Sequence, residues 1–188
     1  MIRFENSGNS IYIVLSQTGS IVSSCLKKFT KDKYNHVSIS LDESLTEMCS
    51  FGRYYAYFPF LGGLVQESVF KGSLKRFKKT VSLIIKINAD EYDIIGVKNT
   101  INEMFASKKK YRYDMIGVFL AGFGKKKVRN YRYYCSEFVK HILIENNIIK
   151  KEDCKEIMKP ADFLNLPYGE VIYEGNLHDY VFNKIKNQ

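Results

Sequence analysis

The chain reads as an α+β fold built on a mostly antiparallel sheet. Extended segments crowd its first half, whereas the longest helical periodicities come after residue 90. Two of the early extended segments are separated by a short polar turn, as in a hairpin. Neither a G-x-G-x-x-G nor a P-loop pattern occurs, so a doubly wound nucleotide-binding fold has no support.

Ile11, Tyr12, Ile13, Val14 and Leu15 form an unbroken apolar run, the mark of a buried strand. Thr18, Gly19 and Ser20 follow, with Ser20 placed to cap a short helix over 21–29. Residues 37–41 alternate apolar and polar, 42–44 make a turn, and 45–51 return as the second strand of a hairpin. Further strands are expected over 65–70 and 80–88. Over 90–106, Ile94, Val97, Ile101, Met104 and Phe105 share one helical face. A shorter apolar helix spans 113–123, and a third begins at Cys135 and breaks at Asn146 and Asn147. A small helix near 152–158, a turn opened by Pro160 at its first position and a late strand over 170–173 complete the reading.

A length of 188 residues suits one domain spanning 1–188, and 45% hydrophobic with 26% charged residues is an ordinary globular balance. The first residues lack the apolar stretch of a secretory leader, and no run of about eighteen apolar residues would cross a bilayer. The expected compartment is therefore the cytoplasm. Cys25, Cys49, Cys135 and Cys154 form no C-x-x-C pair and no zinc-spaced cluster, so free thiols are expected. The net charge of +9 gathers in 71–79, 108–112 and 125–132. Such a surface suits nucleic acid or anionic lipid headgroups; the Lys, Ile, Asn and Tyr bias of an AT-rich genome would produce it as well.

Cys135 carries the chemistry of greatest interest. Phe138, Val139 and Ile142 follow it at i+3, i+4 and i+7, on one helical face. A thiol in the first turn of a helix lies near unsatisfied backbone N–H groups and the positive end of the macrodipole, an environment that favours a reactive thiolate. The same spacing equally suits a small hydrophobe heading a buried stripe.

A catalytic thiol needs a base, and the base needs an orienting group. His141 lies six residues beyond Cys135, about 600° around the helix, and four after Glu137, which reads as a solvated face. His178 sits in a turn-like context. His36 opens the hairpin, and Glu47 stands eleven residues later on the expected returning strand, opposite or diagonal to it. Either an imidazole held by a carboxylate and turned toward the thiol, or an exposed cross-strand pair, fits that spacing.

Tyr34-Asn35-His36-Val37-Ser38-Ile39, Glu47 and Tyr134-Cys135-Ser136-Glu137-Phe138-Val139 together resemble the circularly permuted branch of the NlpC-type, papain-like cysteine hydrolases, nearest the YiiX/YebB-like proteins and more distantly the lecithin–retinol acyltransferase group. The histidine precedes the cysteine, as in the permuted branch. Thr18-Gly19-Ser20, Ser50-Phe51-Gly52-Arg53 and Pro160-Ala161-Asp162-Phe163 extend the likeness over roughly 11–170.

The resemblance implies a papain-like sheet packed on the cysteine helix. It also implies a triad of Cys135 as nucleophile, His36 as general base and acid, and Glu47 as the orienting group. The cysteine's own N–H would be one oxyanion donor; the resemblance does not place the second, for which Tyr134 and Gln17 are candidates that equally suit a structural role. Many unpermuted relatives have Asp where this chain has Tyr134, which separates it from their peptide specificity.

The expected reaction is acyl transfer from an amide, ester or thioester through an acyl-enzyme, without metal or organic cofactor. The substrate would be a small acylated lipid, amine or peptide, and an anionic membrane surface is a candidate partner. The aromatic run 54–65, with Tyr57, Phe58 and Phe60 before the glycine pair, suits either a loop holding an acyl chain or a connection packed on the sheet. The competing class is a non-catalytic basic module, since Arg129-Asn130-Tyr131-Arg132-Tyr133-Tyr134 interleaves guanidinium and aromatic groups as single-stranded nucleic acid binders do.

Overall fold

The computed structural model describes residues 7–17, 32–55, 58–122, 124–125 and 129–187. Its strands are β1 (Ser7–Gln17), β2 (His36–Asp42), β3 (Met48–Tyr55), β4 (Phe58–Glu67), β5 (Val81–Asn88), β6 (Arg112–Tyr113), β7 (Arg132–Tyr133) and β8 (Glu170–Asn176). Its helices are α1 (Gly72–Arg76), α2 (Glu91–Ala106), α3 (Met115–Gly122), α4 (Cys135–Glu145) and α5 (Leu177–Lys186). Six strands form one sheet in the order β4-β3-β2-β1-β5-β8, antiparallel at every junction. The α+β expectation holds at that level. The expected helix over 21–29 lies outside the described residues.

The unbroken apolar run of β1 follows from its place in the sheet. It lies between β2 and β5, and both its faces are covered. Ile11, Ile13 and Leu15 enter the larger core with Val37, Ile39 and Leu41 of β2 and the buried stripes of α2 and α4. Tyr12 and Val14 enter a smaller core with Ile84, Leu74 of α1 and Val181 of α5. The two-residue period of an extended chain sends alternate side chains to opposite cores.

Helix α2 runs as its periodicity predicts, burying Ile94, Val97, Ile101 and Met104. Asp90 caps it, accepting from Asp93 N at 2.8 Å while Asp93 Oδ2 accepts from Asp90 N. Asp114 begins α3 by accepting from Gly117 N at 2.9 Å, and Arg129 Nη1 donates to the same oxygen at 2.7 Å. Among the described residues no helix is long and apolar enough to cross a membrane.

Several boundaries differ from the expectations: the strand expected over 65–70 ends at Glu67, the late strand runs on to Asn176, and four further differences have clear causes. The turn after β2 is longer, because the buried Asp42 carboxylate accepts from Ser44 N, Ser44 Oγ and Thr46 Oγ1, and Leu45 adopts a left-handed φ of 54°. Strand β3 therefore starts at Met48. Residues 58–67 form a strand rather than a loop, pairing Tyr55 with Phe58 and Met48 with Glu67. The glycine pair there admits a neighbour: a Cβ on Gly62 would lie 2.5 Å from Gly52 O and 3.0 Å from Tyr113 Cβ. The helix expected near 152–158 is a single 3₁₀ turn, Lys151–Asp153. The supposed turn around His178 begins α5, with Asn176 Oδ1 accepting from His178 N at 2.8 Å.

Phe51 of β3 and Phe138 of α4 are fully buried with ring centroids 5.3 Å apart. Phe138→Ala is expected to cost about 3–5 kcal/mol in urea unfolding. A loss below about 1 kcal/mol would show that α4 is not anchored through this contact.

Candidate active site

Helix α4 packs against β2 and β3 through Phe138, Val139 and Ile142, so the cysteine at its first position is carried to the sheet. Tyr134 is its N-cap, extended at φ −109° and ψ 172° and without a side-chain cap, which leaves first-turn backbone N–H groups uncapped by that residue. Ser136 Oγ donates to Met158 O at 2.6 Å and fastens the start of the helix. Cys135 is 6% exposed.

His36 opens β2 and pairs with Ser16 of β1. Its Nε2 lies 2.9 Å and 3.2 Å from the two carboxylate oxygens of Glu67. Ser38, two positions along the same strand, donates from Oγ to Glu67 Oε2 at 2.5 Å. The Cys135 thiol lies close enough to the imidazole to favour its charged form, and with Nε2 on Glu67, Nδ1 is the nitrogen left to face the sulfur. The His36 and Glu67 side chains keep about a fifth of their surface exposed, 21% and 18%. The site is enclosed but not sealed.

The electrostatics follow from this geometry. Burial pulls the His36 imidazole toward its neutral form, but Glu67 and Cys135 outweigh it and hold its pKa well above the ordinary 6.5. Burial pushes the Glu67 carboxyl up, but the imidazole and the Ser38 hydroxyl overcome it and leave the carboxylate below its ordinary 4.5. Each member of the pair favours the charged form of the other.

Glu67, not Glu47, holds the imidazole. Glu47 lies in the long turn before β3, where its Oε2 accepts from Gln66 Nε2 at 2.6 Å and its Oε1 is 3.7 Å from Lys71 Nζ. The Asp42 network displaces the start of β3 past residue 47, and the next strand supplies the carboxylate instead. Reading 58–67 as the return of a second hairpin would have brought Glu67 opposite Met48 and exposed this candidate. Gly52 belongs to the same arrangement. A Cβ there would lie 3.8 Å from His36 Cε1, 3.5 Å from Glu67 Oε1 and 3.2 Å from Val65 Cγ2.

The remaining expectations fall out unevenly. Gln17 ends β1, one residue past the Ser16 that pairs with His36. Tyr134 is buried, which drives its phenol pKa up. Tyr57 lies outside the described residues, and Phe58 and Phe60 belong to β4 rather than to a loop. His141 is half-buried rather than fully solvated: its ring packs 5.3 Å from that of Tyr133, and burial lowers its pKa. His178 is buried in the other core, where Nε2 donates to Leu74 O at 2.7 Å. Burial raises the pKa of Cys49 and Cys154, so neither is a prepared nucleophile; Cys25 lies outside the described residues. Among the described residues no group of three or more His, Cys, Asp and Glu is arranged to hold a metal ion. In the Arg129–Tyr134 segment, Arg129 is engaged by Asp114, and the Tyr133 ring packs against Phe51 and His141.

No family model, curated protein or solved structure matches the chain. The site stands on its own geometry: a thiol at a helix start, an imidazole beside it, and a carboxylate bonded to the imidazole.

Replacing Glu67 by Gln is expected to lower the His36 titration midpoint in NMR, whereas Glu47→Gln leaves it in place. Because the folded imidazole keeps its proton above 6.5, its stabilising contribution is complete below that value and lost as pH rises through the folded pKa. Because the folded carboxylate is held below 4.5, its contribution is complete above that value and lost as pH falls. The stability gap between wild type and Glu67→Gln, about 1.5–3 kcal/mol for a charge-assisted bond, should be widest between those two pH values. A gap independent of pH would remove the ion-pair account.

Proposed function

We propose that this chain is a cysteine hydrolase or acyltransferase of papain-like architecture, akin to the permuted NlpC-type branch that its sequence resembles. It would act on an amide, ester or thioester of a small acylated lipid, amine or peptide. The observation that carries the reading is the convergence of the bonded Glu67–His36 pair on Cys135, residues far apart in the chain. The histidine-before-cysteine order supports the permuted branch, and Glu67 takes the orienting role.

In this reading Cys135 Sγ attacks the carbonyl carbon, forming the C–S bond as the carbonyl π electrons move to oxygen. The Cys135 backbone N–H at the start of α4 faces that oxyanion, a contribution of about 10²–10³ in rate; Tyr134 or Gln17 would supply the second donor. The tetrahedral intermediate collapses with cleavage of the bond to the leaving group, which takes the proton held by His36. Water or another acceptor then gives a proton to His36 and attacks the thioester. Collapse of the second intermediate returns the sulfur, and Glu67 keeps the ring oriented through both proton transfers. None of these steps calls on a cofactor.

The test needs no knowledge of the natural substrate. Iodoacetamide at neutral pH should alkylate Cys135 faster than Cys154, and His36→Ala should abolish the difference. Intact mass should show one acyl group on Cys135 after incubation with a p-nitrophenyl ester, with turnover falling about 10²–10⁴-fold in His36→Ala and strongly in Glu67→Gln but not in Glu47→Gln. Equal alkylation of the two thiols, unchanged by loss of the imidazole, would end this reading.

A further inference from the structure

We propose that the face formed by α1, residues 77–79 and the outer side of α5 is a docking surface for an anionic lipid bilayer. Its centre is apolar and exposed. Phe70 and Phe182 keep 39% and 44% of their surface in solvent although their rings meet edge to face at 5.6 Å. Ile185, 40% exposed, lies one helical turn beyond Phe182. α5 thus buries Leu177, Tyr180 and Val181 in the smaller core while turning a second set of large apolar side chains outward.

The surround is predominantly cationic, with Asp179 the exposed acid of α5 one turn before Phe182. Residues 71–79 carry Lys71, Lys75, Arg76, Lys78 and Lys79 without a single acid. Bonds from α5 and its N-cap hold this segment beside the helix: His178 Nε2 donates to Leu74 O at 2.7 Å, and Asn176 Nδ2 to Lys78 O at 2.9 Å. Lys71 and Lys184 are partly answered by Glu47 and Glu43. Lys75, Lys78, Lys79 and Lys186 are exposed with no acidic partner among the described residues.

Apolar side chains that enter the headgroup boundary, ringed by lysines that meet anionic headgroups, are what interfacial membrane binding requires. A single nucleic acid strand would instead be stacked on by flat faces. Here two phenyl rings stand edge to face beside an aliphatic side chain, which offers a base no continuous platform. The inference does not rest on the thiol chemistry.

The experiment is sedimentation of the full chain with vesicles of phosphatidylcholine alone and of phosphatidylcholine with phosphatidylserine. Binding is expected only to the anionic vesicles and should fall as salt is raised. Lys78→Gln with Lys79→Gln should weaken it about 25-fold, near fivefold per lysine, while Lys108→Gln with Lys109→Gln leaves it unchanged. Phe182→Ser, at an exposed position, should weaken it severalfold without altering the salt dependence, with far-UV circular dichroism confirming the fold of each variant. Equal binding to neutral vesicles, equal loss from the two lysine pairs, or retention of a single-stranded oligonucleotide but not of vesicles would each overturn the proposal.

Discussion

A carboxylate on one strand can meet an imidazole two strands away only if the strand between them leaves the space open. Strand β3 lies between β2 and β4, and it carries Gly52 beside the contact. A Cβ there would crowd Val65 and come into van der Waals contact with the Glu67 carboxylate and the His36 ring. The absence of a side chain at that position keeps the space beside the His36–Glu67 pair open, and the charge state of the imidazole follows from the pair. The nearby Ser38 hydroxyl completes the carboxylate's hydrogen bonding, as an enclosed charge requires.

The sulfur reaches this pair by packing rather than by local sequence. Phe51 touches both Phe138 and Tyr133, so one buried ring registers the cysteine helix and the segment before it against the sheet. Ser136, bonded to Met158 O, ties the same turn to a later part of the chain. The two sides of the site are thus fixed independently, one by strand pairing and one by core contacts. That independence is why a polar substitution at Glu67 is expected to act on the imidazole without displacing the helix.

Much of this was legible in the residues. The apolar run of β1, the stripe of α2 and the helix opened by Cys135 each follow one dominant periodicity, and each stands where that periodicity put it. The orienting carboxylate was missed because a short turn was assumed after Asp42. Local side-chain bonding to Asp42 and a left-handed Leu45 lengthen the turn, and no apolar pattern encodes either. The second hairpin was missed because a glycine pair between aromatics reads as a flexible loop. Here those glycines admit neighbouring chain against the sheet. α5 was overlooked because its start, Asn176-Leu177-His178-Asp179, has the composition of a turn, and only the cap bond from His178 N to Asn176 distinguishes the two.

His36 and Glu67 stand 31 positions apart in the chain, joined through successive hairpins. Cys135 is roughly a hundred positions from His36, a closure that costs about 1 kcal/mol more in chain entropy. On a growing polypeptide the imidazole–carboxylate pair emerges well before the sulfur that comes to lie beside it. The sulfur joins the pair only when α4 docks on the sheet, so the three groups share one environment only once the fold around the thiol is in place.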